Sequence, residues 1–260
     1  MVSYLFKNRA KLPALIDDIW AWEEVDASVE LARRTRIQLL TDALQSACVC
    51  GGAWTRYVEA SLEVNGIDAK ALATDILQAL DAGRGERTPV LVLAGRQGGE
   101  GKSMTLKPFF KVFRLPGQVF PTPTHEKFPL QGLEASKVVF FDEFRFNPRI
   151  MPYSLMCLLF DGSAVPIARP QNVAGATGHF LYKGSSPIFM TTKLDALESL
   201  EAAGRPDPLT GIPASADASM VLRRLKVYKF ERRIPRPEQK FSYCACCFAR
   251  FLHQHYCRSF

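Results

Sequence analysis

Long apolar runs are missing from this sequence. Nothing in its 260 residues approaches the roughly 20 that a membrane span needs. The opening stretch, MVSYLFKNRAKLPALIDDIW, meets a proline and then acids where a secretory apolar core would lie. Internal repeats and low-complexity tracts are also absent, which sets aside solenoid and linker-like architectures. Histidine is scarce, with four residues in all. The seven cysteines are an odd number, and four of them (Cys244, Cys246, Cys247 and Cys257) crowd the end of the chain. That is a poor disulfide framework and fits reduced thiols. The expectation is an intracellular, soluble protein.

What is present is an ordinary globular composition with a lopsided charge. Residues 223–260 carry ten lysines and arginines against Glu231 and Glu238, a net of +8, so the other 222 residues sum to −1. A basic end on a near-neutral body points to a polyanion, nucleic acid being the commonest; a solvated basic tail is the plainer alternative.

The chain changes texture twice. Residues 1–85 read as a helical segment: ASVELARRTRIQLLTDALQSA and AKALATDILQALDAG place apolar residues three and four apart. Gly51-Gly52 and Asn65-Gly66 break the helices, and DAGRGERTP reads as a polar linker. Residues 86–235 carry short apolar runs, VLVLAG, VVFFDEF and SPIFMTT, with helical patterns such as 101–113 and MPYSLMCLLFDG between them. Strands apolar on both faces that alternate with helices predict a three-layer α/β domain around a parallel sheet. Residues 236–260 form a basic, Cys/His-rich tail.

Chemistry concentrates at the strand ends. VLVLAGRQGGEGKSM turns from strand to glycine-rich loop and closes on Gly101-Lys102-Ser103. This is how a phosphate loop reads, with backbone N–H groups and a following helix aimed at one anion. Gly95, Gly98, Gly99 and Gly101 would build the nest, Lys102 would reach the phosphates and Ser103 would ligate Mg²⁺. Gly95 stands one position earlier than G-x-x-x-x-G-K-[ST] requires, so the loop is one residue longer. KVVFFDEF follows, with Asp142 expected to hold Mg²⁺ and Glu143 to activate water. SSPIFMTTK brings Thr191, Thr192 and Lys193 to the same crevice, beyond the carboxyl ends of the strands. In MVLRRLKVYKFERR, Arg224, and after it Arg223, would stabilise transferred phosphate across a subunit boundary. Residues 158–184 read as a hairpin or exposed loop rather than core. Its Arg169, His179 and Lys183 are suited to a single strand of nucleic acid, though an ordinary loop has the same composition.

Taken in this order, the motifs resemble those of superfamily-3 helicases, the AAA+-type ATPases of small DNA and RNA viruses and of viral-type replication initiators. The likeness runs from Pro89 to Ile234. GRQGGEGKS is similar to that family's motif A, VVFFDEF to motif B, LLFDGSAVPIARPQN to the start of motif B′, SPIFMTTK to motif C and RRLKVYKF to the arginine-finger strand. The resemblance implies an ATP- and Mg²⁺-dependent motor on single-stranded DNA, or less favourably RNA. It also implies a homo-oligomeric ring, usually a hexamer, that residues 1–85 help to form. A host-nuclear location would follow for a eukaryotic DNA-virus-type initiator, and a cytoplasmic one otherwise. Motif C normally ends in Asn where this chain has Lys193, which cannot accept a hydrogen bond from the attacking water. Binding is therefore expected to survive better than turnover, which keeps open a nucleotide-gated scaffold with little hydrolysis. A small-molecule kinase would need an arginine-rich lid that the segment between the second and third motifs does not supply. The His-hydrophobic-His pair of an initiator nuclease is also missing, since His253-Gln254-His255 has a polar centre. In the tail, Cys244 and Cys247, with His253 and Cys257, offer a small tetrahedral zinc site. A helix with Cys247, Arg250 and Phe251 on one face is the alternative.

Overall fold

The computed structural model describes residues 25, 28–124, 127–168, 179–206, 213–234 and 241–256. After a helical stretch over residues 28–33 come α1 (Arg36–Gln45), α2 (Ala53–Val64) and α3 (Ala69–Ala82). The pattern that reads as one helix across Arg34 is cut there, because Thr35 makes a capping box with Gln38 and starts α1 afresh. Gly52 begins α2 with φ 77°, Asn65 ends it, and Asp68 caps α3 through the Lys70 N–H.

Seven strands follow: β1 (Val90–Gly95), β2 (Val119–Phe120), β3 (Val138–Phe144), β4 (Val165–Ala168), β5 (His179–Tyr182), β6 (Ile188–Lys193) and β7 (Leu225–Phe230). Five of them form one parallel sheet in the order β2-β3-β6-β1-β7, and β4 and β5 pair as an antiparallel hairpin. The remaining helices are α4 (Lys102–Leu106), α5 (Phe109–Val112), α6 (Tyr153–Phe160), α7 (Leu194–Gly204), α8 (Ala216–Leu222) and α9 (Ala245–Tyr256). The helix expected over 101–113 is split into α4 and α5, since Pro108 has no N–H to continue it.

The strands alternate between two apolar layers. Leu91, Leu93, Val138, Phe140 and Phe189 face a core shared with α1, α2, α3 and α9. Val90, Val92, Val139, Phe141, Ile188 and Met190 face a second core with α6, α7, α8 and the hairpin. The fold is thus a three-layer α/β sandwich around a parallel sheet. The last helix is fully part of it: Cys246, Phe248, Phe251 and Leu252 are buried, and Trp54 of α2 meets Phe248 and Phe251 edge-on at 5.7 and 6.0 Å.

Two expectations change. Within 158–184 the expected hairpin is present as β4 and β5, but it is not outside the core, because Val165, Ile167 and Tyr182 at its base are buried. DAGRGERTP is not simply a linker either. Arg84 is buried, its ring-stacked guanidinium lies 4.8 Å over Tyr182, and it donates to the carbonyls of Gly184, Leu159 and Ser163 at 2.6, 3.0 and 3.0 Å. A charge tied to carbonyls rather than to an acid leaves no pattern in sequence. Among the described residues no helix is long and apolar enough to cross a membrane.

Trp54 is completely buried and its indole N–H donates to the Met104 carbonyl at 2.9 Å, joining α2 to α4. Trp54→Ala is expected to cost about 3–5 kcal/mol in stability, read from denaturant-induced unfolding.

Candidate nucleotide site

β1 is the middle of the site. Its last residue, Gly95, stands level with Lys193 of β6 and Phe230 of β7, so the loop that follows leaves the carboxyl edge of the sheet. A Cβ on Gly95 would collide with Glu100 Oε2, Lys102 Nζ and the Phe230 carbonyl. Gly101 has φ 95° and caps α4, and a Cβ there would strike Ser61 of α2. Gly99 also takes a positive φ, 86°, whereas Gly98 faces open space. Three of the four glycines are thus required by conformation or by crowding.

The interior of the loop holds a residue the motif did not single out. Glu100 is buried, and its Oε1 accepts from the Gln97 N–H at 2.7 Å. Its Oε2 forms an ion pair with Lys102, whose ammonium also donates to the Gln97 carbonyl at 3.1 Å. Ser61 Oγ clamps the Glu100 carbonyl from behind at 2.7 Å. The longer loop therefore folds a carboxylate inward, where a backbone N–H and an ammonium converge. Its sequence signal is a lone acid two residues before the lysine.

Beside the loop, three motifs meet at one atom. Asp142 Oδ1 accepts from Ser103 Oγ and from Thr191 Oγ1, both at 2.6 Å, and Lys107 Nζ lies 3.6 Å from Oδ2. Thr122 donates to the Asp142 carbonyl at 2.7 Å. Of the two adjacent threonines, Thr191 is the one in the site. Thr192 points to the opposite face, and its hydroxyl donates to the Phe144 carbonyl at 2.7 Å. Strand alternation shows from sequence that just one of the two can face the site, without saying which.

Glu143 has φ 53°, the sole positive value at a non-glycine among the described residues. Pairing of β3 with β6 shifts between Phe141 and Phe144, so Asp142 and Glu143 form a bulge, and the Glu143 N–H is held by Thr191 Oγ1 at 2.9 Å. The bulge leaves Asp142 directed at Ser103 while the Glu143 side chain is exposed.

The other candidates lie farther out. Lys193 ends β6, level with Gly95, and precedes α7. Arg224 precedes β7, and its carbonyl accepts from the Val90 N–H at the amino-terminal edge of the sheet, opposite the loop. Its guanidinium is paired with Asp161 at 2.9 Å, and that carboxylate raises its pKa; Arg223 is exposed. Lys183 is exposed just after β5, His179 begins β5, and Arg169 lies outside the described residues.

The expected thiol–imidazole set in the tail is corrected. The ligand atoms of Cys244 and Cys247 gather with those of Cys48 and Cys50, all within 4.8 Å of one another. His253 is not in this group: six residues beyond Cys247 on α9, it sits about 9 Å farther along the axis and on another face. Cys257 lies outside the described residues. The Gly52 N–H, and next the Cys247 thiol, hold the Cys48 thiol down to about 6, while burial pushes Cys247 up.

Sheet, loop and strand-end acid together make this a P-loop-like α/β fold. No protein-family profile matches the chain, and none of the curated proteins does. Among solved structures it is similar to the C-terminal region of NrS-1 in its A-form apo structure, with 15% identity and a TM-score of 0.47. The match covers 85% of this chain and 47% of that one, so this chain spans under half the neighbour's length.

The bulge supplies a direct test. Glu143→Gly is expected to be about 1 kcal/mol more stable than Glu143→Ala in thermal unfolding, because only glycine adopts φ 53° without strain.

Proposed function

We propose that this chain is an ATP-dependent, Mg²⁺-requiring motor of helicase type that acts on single-stranded nucleic acid, DNA ahead of RNA. The observation that carries this reading is the convergence of Ser103 and Thr191 on Asp142 Oδ1 beside the loop that holds Lys102. Ser103 and Asp142 are hard oxygen donors that suit Mg²⁺. They would hold that ion, which would supply positive charge to offset the charge developing on a transferred phosphate. The loop N–H groups and Lys102 hold the phosphates, and Lys102 exchanges its Glu100 partner for them. Glu143, turned outward by the bulge, orients the attacking water and takes its proton, with Lys193 at the neighbouring strand end contacting phosphate.

Arg224 and Arg223 stand at the far edge of the sheet from their own loop. They reach a triphosphate only on a neighbouring copy, which fits a homo-oligomeric ring, with six copies as the expected number. Lys183, exposed just after β5, would contact the nucleic-acid backbone, and Arg169 and His179 are assigned the same role.

A second reading, a nucleotide-gated scaffold with little hydrolysis, is favoured by two residues. Lys193 stands where a hydrogen-bond acceptor would position water, and Glu100 competes with phosphate for Lys102.

ATP turnover by the purified chain, with and without single-stranded DNA, separates the two readings. The motor predicts DNA-stimulated turnover that falls on the order of a hundredfold in Lys102→Ala and in Glu143→Gln. Turnover absent in the parent chain, with ATP binding lost in Lys102→Ala alone, would leave the scaffold. Glu100→Gln keeps an acceptor for the Gln97 N–H but removes a charge beside the triphosphate. It is expected to tighten ATP binding about tenfold in a calorimetric titration. Weaker binding instead would show that the carboxylate mainly shapes the loop.

A further inference from the structure

The four gathered cysteines come from segments nearly 200 residues apart. Cys48 and Cys50 lie between α1 and α2, whereas Cys244 and Cys247 flank the start of α9. Cys48 and Cys50 sulfurs lie 3.3 and 3.4 Å from that of Cys247, and 3.9 Å from each other. Four thiolates around a tetrahedral zinc, each about 2.3 Å from the metal, stand about 3.8 Å apart. The observed separations of 3.3–3.9 Å, with all four sulfurs within 4.8 Å of one another, are of this order, and the sulfurs are shared too evenly to single out one disulfide pair.

The surroundings are also those of a built site. Gly51 and Gly52, with φ 56° and 77°, curl the backbone after Cys50 so that the Gly52 N–H reaches the Cys48 sulfur. Backbone N–H groups of this kind orient metal-bound thiolates from outside the ligand shell. Cys244 directly precedes, and Cys247 lies in the first turn of, a 12-residue helix, so both sulfurs enter the cluster from one helix end. Apolar side chains would pack this spot without four weakly hydrogen-bonding thiols. An all-sulfur tetrahedral set selects zinc among the common divalent ions.

We propose that Cys48, Cys50, Cys244 and Cys247 bind one structural zinc ion, which staples the C-terminal helix α9 to the turn entering α2. The four thiols give up their protons to solvent as they bind the metal as thiolates, and no redox change accompanies it. The staple has a route to the phosphate loop. α2 begins three residues after Cys50 and carries both Trp54, bonded to Met104, and Ser61, bonded to Glu100. The metal thereby positions the loop without touching nucleotide, and the proposal does not depend on the ATPase reading.

The test is elemental analysis of the full chain, purified under reducing conditions without added chelator. The expected result is about one zinc per chain, retained in His253→Ala and Cys157→Ser and lost in Cys48→Ser and Cys244→Ser. Because the serine variants can fail to fold, the parent chain is also stripped and refilled with Co²⁺. Strong sulfur-to-cobalt charge-transfer absorption and a tetrahedral visible spectrum of four-thiolate character are expected, together with protection of four thiols from alkylation. The proposal is overturned if the parent chain takes up no zinc on reconstitution, if it holds iron instead, or if zinc is lost in His253→Ala while Cys48→Ser keeps it.

Discussion

One carboxylate oxygen, Oδ1 of Asp142, sets the geometry of the carboxyl edge. It accepts from Ser103, which follows β1, and from Thr191 on β6, so it ties three neighbouring sheet positions into one corner. Two hydroxyl donors on a single anionic oxygen leave little freedom in how far each strand extends. β3 meets the requirement with a bulge rather than with regular pairing, and the left-handed φ at Glu143 is the local strain of that choice. The strain has a use: it separates two adjacent acids that a regular strand would also alternate, but without bringing the Glu143 N–H onto Thr191.

The lengthened loop follows from the same demand for a balanced anion site. A nest of N–H groups with a lysine beside it carries positive potential that must be met by something. Here Glu100 meets it from within, and the extra residue provides the slack for that side chain to turn inward. The departure from the usual spacing and the buried acid are thus one feature. Any anion entering the loop would have to compete with Glu100 for Lys102, whose single ammonium Glu100 already holds.

Much of this was legible in the sequence, and the reasons are specific. VLVLAG, VVFFDEF and SPIFMTTK announce buried parallel strands because both faces are apolar, and the glycines mark where φ must turn positive. Three features escaped. Thr191 and Thr192 are chemically identical in a one-dimensional reading, and only pairing register tells which faces Asp142. Arg84 is buried against carbonyl groups, which every residue carries. Cys48-x-Cys50 has no meaning until folding brings it to Cys244 and Cys247, and the nearer histidine was the more obvious partner in sequence.

The helices at the two ends of the chain gain their importance from this arrangement. A parallel sheet needs both faces covered. Here one face is covered jointly by the first three helices and the last, packed around Trp54, Phe109 and Phe248. That same layer backs the loop, since Ser61 and Trp54 each reach a backbone carbonyl in it. Loosening α2 or α9 would therefore disturb residues 95–104 as well as expose apolar surface. The glycine-rich loop is a short segment whose shape is held by Trp54 and Ser61 of α2, and α2 is in turn packed against Phe248 of α9.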